Sequence, residues 1–322
     1  MNVLVTGGAG YIGGCVATIL REQGHEVFIL DNLCHARESD VPAGCRFTHG
    51  DVSDRSVVLP LLKEIRPDGV LHFAALIEAG ESMKLPALYF QNNTAATLTF
   101  LECLVEAGVE KIVFSSTAAV YGEPEHVPIT EDAPLRPTNP YGESKLMVER
   151  MLRWFHQVHG LRYASLRYFN VAGALAHRGE AHEPESHLIP LILDVALGRR
   201  EAISVYGTDY ATTDGTCIRD YIHIRDLATA HLIALQALSS NDRLIYNLGN
   251  GNGFSVRQVI DAARSVTGQP IRVQEQARRA GDPAILVASS ERIARELGWS
   301  PAVTSIEAVI ESAWRWHRQR YR

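Results

Sequence analysis

Tyr141 and Lys145 stand four residues apart in the stretch Asn139-Pro140-Tyr141-Gly142-Glu143-Ser144-Lys145. Asn139 suits a helix cap and Pro140 a first helical turn, so the spacing predicts both side chains on one helix face, about a turn apart. The chemistry on offer is proton abstraction, because a cation beside a phenol favours phenolate. A free phenol titrates near pH 10, so a base poised near neutrality needs a shift of about three units, or ~4 kcal/mol. Alone, such a pair is usually a surface pair. Upstream, Ser115-Ser116-Thr117 closes a predicted strand over 111–115. Hydroxyls at the carboxyl edge of a strand face the ligand crevice. Thr117 is therefore expected to bond a substrate hydroxyl and relay its proton to Tyr141. A satisfied turn is the alternative for any one of these hydroxyls.

The amino-terminal stretch Gly7-Gly8-Ala9-Gly10-Tyr11-Ile12-Gly13 supplies a context for that pair. Gly8, Gly10 and Gly13 meet a G-x-G-x-x-G spacing; Gly7, Gly10 and Gly13 meet G-x-x-G-x-x-G. A Cβ would block the tight turn and the approach of backbone to a pyrophosphate, while the following helix offers free N–H groups. Asp31 ends the next predicted strand, where a carboxylate accepts from a ribose 2′-hydroxyl and repels a 2′-phosphate, favouring NAD over NADP. Asn32 beside it is placed with the cofactor. Asp51-Val52 follows a third strand and would meet the adenine; a plain helix N-cap is an equal alternative for Asp51. Phe73-Ala74-Ala75 ends a further strand, where small residues leave room for NAD or simply pack. The positive nicotinamide ring would add to Lys145 in lowering the pKa of Tyr141.

These residues need elements to carry them. Residues 2–6 read as a buried strand, 11–23 as a helix closed by Gly24, and 26–30 as a second strand. That is one βαβ unit, which implies a parallel sheet with covering helices. The alternation continues with a helix at 54–65, strands at 70–73 and 111–115, a long helix at 86–107, a helix from Pro140 and a strand at 162–168. Past Gly173 it loosens. Residues 174–187, rich in Ala, His and Glu, read as a surface segment. Strands follow near 202–206, 244–247 and 271–275, and helices near 188–198, 226–238, 255–267 and 304–318. The expected fold class is α/β: a doubly wound parallel sheet of Rossmann type over 1–173, with a smaller C-terminal α/β substrate domain over 174–322 whose segments can cross back.

With 322 residues, 46% hydrophobic and 21% charged, the chain has ample material for a core. Its charge of −6 argues against a nucleic-acid binder. Arg315, Arg318, Arg320 and Arg322 read as a solvated helix end. Five cysteines without a Cys-x-x-Cys point to reduced thiols and a cytoplasmic protein. His182-Glu183 and His187 fit no familiar ligand spacing, so no metal is expected. No basic-then-apolar leader and no run of about 20 apolar residues is found, so neither secretion nor a membrane partner is expected.

Together the glycine loop, Asp31, Thr117 and Tyr-x-x-x-Lys resemble the extended short-chain dehydrogenase/reductase family, over essentially the whole chain. Within it the chain is most similar to the UDP-sugar 4-epimerase branch. Matching stretches include His72-Phe73-Ala74-Ala75, Leu166-Arg167-Tyr168-Phe169-Asn170, Asp214-Gly215-Thr216-Cys217-Ile218-Arg219-Asp220-Tyr221 and Arg278-Arg279-Ala280-Gly281-Asp282-Pro283. The resemblance implies retained NAD and interconversion of UDP-galactose and UDP-glucose through a 4-keto sugar, by a homodimer. It implies Tyr141 as base, Thr117 as relay, and Lys145 tuning Tyr141 and holding the nicotinamide ribose. Asn92 and Phe169 would place NAD. Asn170, His187 and Leu188 would face the nucleotide-sugar, Tyr206 the uracil, Asp282 the uridine ribose, and Arg219 and Arg279 the pyrophosphate. Two positions depart from the pattern: Ile77 stands for a lysine that contacts NAD, and His187 for an asparagine.

Two rival functions share the scaffold. A nucleotide-sugar dehydratase would need Asp-Glu after Thr117, where this chain has Ala118 and Ala119, neither an acid nor a base. A non-catalytic NAD sensor would not need the intact Tyr141 and Lys145. Epimerisation of UDP-N-acetylhexosamines stays open, with Leu286, intermediate in size, at the implied size gate.

Overall fold

A computed structural model describes residues 1–182, 184–279 and 282–321. Glu183, Ala280, Gly281 and Arg322, which belong to stretches named above, lie outside the described residues. Six strands, β1 (Asn2–Thr6), β2 (Glu26–Asp31), β3 (Arg46–His49), β4 (Gly69–His72), β5 (Lys111–Thr117) and β6 (Arg162–Tyr168), join Arg243–Leu248 in one seven-stranded parallel sheet. The spatial order runs β3-β2-β1-β4-β5-β6 and then Arg243–Leu248. The connection reverses direction between β1 and β4, and a sheet of this kind takes its ligand at the carboxyl ends of the strands flanking that point.

Strand alternation assigns the two faces. Val3 and Val5 on β1 pack with Cys15, Val16, Ile19 and Leu20 of the helix Tyr11–Glu22 and with Leu227 and Leu235 of the helix Ile224–Ala237. Leu4, between them, points the other way, toward Val58, Leu62, Phe100, Leu104, Val148 and Leu152 on the helices Arg55–Ile65, Ala96–Glu106 and Pro140–His159. A strand covered on both faces reads as a continuous apolar run, which is why residues 2–6 stand out in the sequence.

Past residue 173 the chain crosses between two bodies. A smaller core gathers the helices Leu188–Ala196, Val256–Thr267 and Ile306–Arg320 around Ile203, Val205 and Tyr221. Between these helices the chain returns to the large sheet with Ile224–Ala237 and Arg243–Leu248. The strand Ile218–His223, hidden in the sequence by its polar residues, pairs with Asn170–Ala172, Gly253–Ser255 and Ile285–Leu286. Its Asp220 is fully buried and accepts from the backbone N–H groups of Asn250, Gly251 and Ala288 at 2.7, 3.1 and 3.0 Å.

Two local expectations need correction. Residues 174–187 are not simply a surface segment. Ala174–Leu175 and Arg178–Gly179 form a small hairpin, and Ala174 and Leu175 are buried. Arg178 reaches from it to the carbonyls of Ala9 and Gly10, so polar composition here reflects a clamp on the glycine loop rather than solvation. The long helix expected over 86–107 is interrupted by a π-helical turn, Phe90–Ala95. Such turns commonly mark functional sites.

A buried ion pair ties the sheet to the helix that carries Tyr141. Arg167 on β6 donates to both oxygens of Glu149, at 2.9 and 2.5 Å, and Ser116 on β5 donates to the same carboxylate at 2.6 Å. Arg167 is 3% exposed and Glu149 7%. Glu149→Gln leaves a buried guanidinium without its counter-charge, and is expected to lower unfolding free energy by about 3 kcal/mol. Urea unfolding measures this; a midpoint within error of the parent would contradict it.

Acid should weaken the fold through two buried histidines. Burial pushes His72 down to about 3 and His231 down to about 4. Both pKa values lie below that of an unfolded histidine, so the unfolded chain takes protons first as pH falls. Stability is complete above about pH 6.5 and is lost as pH falls from there to about 4 for His231 and about 3 for His72, by ~2 kcal/mol per histidine at pH 5. The urea midpoint is expected to fall between pH 7 and pH 5, and to fall less in His231→Gln. An equal drop in that variant would contradict the assignment.

Candidate active site

The glycine loop is built by backbone contact. Gly7 sits at φ +69, and a Cβ there would lie 2.7 Å from the Ala74 nitrogen. A Cβ on Gly13 would lie 2.3 Å from the Gly7 carbonyl oxygen. Gly7, Gly10 and Gly13 thus describe the loop better than the alternative spacing through Gly8, whose neighbours are side-chain atoms of Ile29. Asp31 accepts from the Ala9 and Leu33 N–H groups at 3.0 and 2.8 Å, fixing its carboxylate beside the loop. Each oxygen keeps acceptor capacity for hydroxyls. The Tyr11 hydroxyl donates to the Gly173 carbonyl at 2.7 Å, pinning the first helical turn. Asn32 donates to Asp51 at 2.6 Å, and Asp51 also accepts from Ser53. The cap of the helix Arg55–Ile65 is Asp54, not Asp51, so the N-cap alternative for Asp51 falls away.

The cradle fits a dinucleotide. Its glycines leave open the space that a Cβ would fill, Gly10 is the N-cap of the helix Tyr11–Glu22, and a carboxylate closes the far end. Gly7, Gly10, Tyr11, Ile12, Gly13, Asp31, Asn32, Asp51, Val52, Phe73, Ala74, Ala75, Asn92 and Phe169 all line one cavity of about 740 Å³. Asn92 lies in the π-helical turn. Its neighbour Asn93 locks that turn, donating to the Leu76 carbonyl at 2.9 Å and accepting from the Leu76 N–H at 2.8 Å.

Tyr141 and Thr117 meet in the same cavity. The Asn139 side chain caps the helix Pro140–His159 by accepting from the Gly142 N–H at 2.8 Å. A Cβ on Gly142 would lie 2.6 Å from the Ala119 carbonyl oxygen, so glycine lets this helix end close on the turn after β5. Thr117 accepts from the Ala119 N–H at 3.1 Å, so its O–H proton is free to point at the phenol or a substrate. The hydroxyl is both turn cap and candidate relay.

Lys145 is turned into the fold. It is 2% exposed, is not among the cavity-lining residues, and donates to the Ser115 carbonyl at 3.0 Å. Burial lowers its pKa to about 7. Burial raises the Tyr141 phenol above its ordinary value, the Thr117 hydroxyl pulls it back, and Glu78 adds to the rise.

The substrate-side candidates Asn170, His187, Leu188, Tyr206, Arg219, Arg279 and Asp282 line the cavity too. Arg279 lies over the Tyr206 ring, its guanidinium carbon 3.9 Å from the ring centre. His187 is held by Glu185, Nδ1 to Oε1 at 2.8 Å. Burial opposes its charge, but that bond and the nearby Glu180, Glu185 and Glu78 push it up to about 9. Ile77 lines the cavity with an apolar side chain, so no cation is contributed there. Arg178, Glu180 and His182 also line it, brought in by the hairpin and the loop after it. Nothing in their spacing identifies them.

Comparison with known proteins agrees with this arrangement. The family described as NAD dependent epimerase/dehydratase matches residues 3–249. The UDP-glucose 4-epimerase of Streptomyces lividans is 53% identical over 315 residues, 98% of this chain and 95% of that protein. The enzyme of the same name from Halalkalibacterium halodurans is 50% identical over 322 residues, 99% of this chain and 96% of that protein. The crystal structure of UDP-glucose 4-epimerase from Bifidobacterium longum with NAD+ and UDP superimposes with a TM-score of 0.92 at 37% identity, covering 99% of this chain and 98% of that one. The chain belongs to the NAD dependent epimerase/dehydratase family.

Proposed function

We propose that the protein interconverts UDP-galactose and UDP-glucose, by reversible NAD-dependent oxidation at C4 of the sugar. The carrying observation is that Tyr141 and Thr117 share one cavity with the glycine cradle and with Arg219 and Arg279. NAD, when bound, supplies a hydride acceptor for C4 and then the same hydride as donor. The chain would hold it with Gly7, Gly10, Tyr11, Ile12, Gly13, Asp31, Asn32, Asp51, Val52, Phe73, Ala74, Ala75, Asn92, Tyr141, Lys145 and Phe169.

Tyr141 takes the proton of the sugar 4-hydroxyl, with the Thr117 O–H oriented to relay it. The same phenol returns the proton when the 4-keto sugar is reduced from its other face. Arg219 and Arg279 grip the diphosphate, where planar forks suit phosphate oxygens. Tyr206 stacks the uracil and Asp282 bonds the uridine ribose. Asn170, His187 and Leu188 line the path of the sugar. Residues 1–173 thus serve mainly the cofactor and 174–322 mainly the nucleotide-sugar. Dehydration is not supported, since Ala118 and Ala119 follow Thr117 in a 3-10 turn and carry no proton-transfer group.

A tracer tests this reading. UDP-galactose carrying deuterium at C4 is expected to give UDP-glucose with the label still at C4. Loss of label to water would exclude internal hydride return.

We also propose a homodimer and a cytoplasmic location. No described helix is long and apolar enough to cross a membrane. Met147, Trp154 and Val158 are exposed on the helix Pro140–His159 at i, i+7 and i+11, and Leu88 and Leu98 are exposed on the adjoining helices Pro86–Tyr89 and Ala96–Glu106, on either side of the π-helical turn. Two adjacent apolar stripes suit pairing with a second copy into a four-helix bundle. Light scattering should give twice the 35.5 kDa chain mass for the parent and the single-chain mass for Trp154→Glu. A parent that runs as a monomer would remove the proposal.

A further inference from the structure

Glu180, His182 and His187 come together on the wall of the cavity, although their spacing matches no common metal motif. Each offers one ligand atom, and the three atoms lie within 4.8 Å of one another. Bonds of ~2.1 Å in a tetrahedral arrangement put ligand atoms ~3.4 Å apart, so modest side-chain rotation closes the set on one ion. Glu180 and His182 already touch, Oε1 to Nδ1 at 2.7 Å. The rings of His182 and His187 stand edge to face, 5.8 Å between centroids.

The surroundings are those of a metal-ligating histidine. Glu185 binds Nδ1 of His187 and is itself fixed by the N–H groups of Ser186 and His187 at 2.8 and 2.7 Å. A carboxylate on one ring nitrogen orients the ring, and an ion takes the other nitrogen by displacing its proton. The Glu185 side chain is 13% exposed and Glu180 12%, so both carboxylates are largely withdrawn from water. Two imidazoles and one carboxylate suit a borderline ion of the zinc class rather than magnesium or calcium.

We propose that Glu180, His182 and His187 form a site for one divalent transition-metal ion of the zinc class. Three protein ligands leave a fourth position, and since all three residues line the cavity, that position opens into it for a water or a phosphate oxygen. The ion is separate from the proposed redox chemistry, and its binding does not depend on the epimerase reading.

The test uses purified, NAD-loaded protein. It is treated with chelator, dialysed against Zn²⁺, and assayed for bound zinc by mass spectrometry; a Co²⁺-loaded sample gives a visible spectrum. The expected result is about one zinc per chain and a tetrahedral cobalt spectrum without a thiolate band. Zinc affinity should fall at least ~10-fold in both His182→Ala and Glu180→Gln, with NAD content and melting temperature held. No retained zinc would overturn the proposal. So would zinc undiminished in the variants, or a cobalt–thiolate band pointing to the exposed Cys34. If His182→Ala fails to fold, the conservative Glu180→Gln decides alone.

Discussion

Tyr141→Phe is expected to lower turnover by about 10³-fold while the protein keeps its NAD and its melting temperature. The substitution removes one oxygen from a half-buried phenol on the cavity wall and leaves the ring to pack as before. Burial alone pushes that phenol up, away from the range of a useful base. The Thr117 hydroxyl lowers it, and the Lys145 ammonium donates to the Ser115 carbonyl. A base near neutrality needs a lowering of more than about three units, or ~4 kcal/mol, from that raised position, which the positive charges of Lys145 and of the bound NAD ring would supply. Removing the hydroxyl removes the group that these charges activate. Steady-state kinetics with UDP-galactose measures the effect. Activity within about tenfold of the parent would show that another group takes the proton.

Gly13→Ala is expected to strip the protein of cofactor. The added Cβ would sit 2.3 Å from the Gly7 carbonyl oxygen and 2.9 Å from its carbon. Those are backbone atoms, and Gly7 is itself wedged against Ala74 at a positive φ that other residues adopt poorly. The loop cannot give way in place, so the turn must open and its N–H groups lose their common target. NAD affinity is expected to fall by at least ~100-fold, because the pyrophosphate relies on close backbone approach. Ultraviolet absorbance of purified protein and fluorescence titration with NADH measure it. A variant that retains stoichiometric cofactor would show that the loop does not cradle the pyrophosphate.

The parts of the fold that were legible are those whose pattern is local. Residues 2–6 form an apolar run because both faces of β1 are covered, and Asn139-Pro140 begins a helix because cap and first turn are written in adjacent residues. The glycine cradle and Tyr141 were legible for the same reason. What stayed hidden depends on distant partners. Ile218–His223 is a strand whose Asp220 is paid for by three backbone N–H groups from elsewhere, so its polarity masks its burial. Residues 174–187 looked solvated because a clamp on the glycine loop and a cluster of His and Glu use polar side chains. The inward turn of Lys145 is likewise invisible to spacing, which places it near Tyr141 but cannot say which carbonyl it reaches.

The most direct test of the account is to give the purified protein UDP-galactose with no added cofactor and to measure UDP-glucose formed. The arrangement of cradle, Tyr141 and nucleotide-sugar wall predicts steady conversion toward an equilibrium mixture, because net redox change is zero and retained NAD is regenerated in each cycle. Absence of UDP-glucose, with NAD added as well, would contradict it.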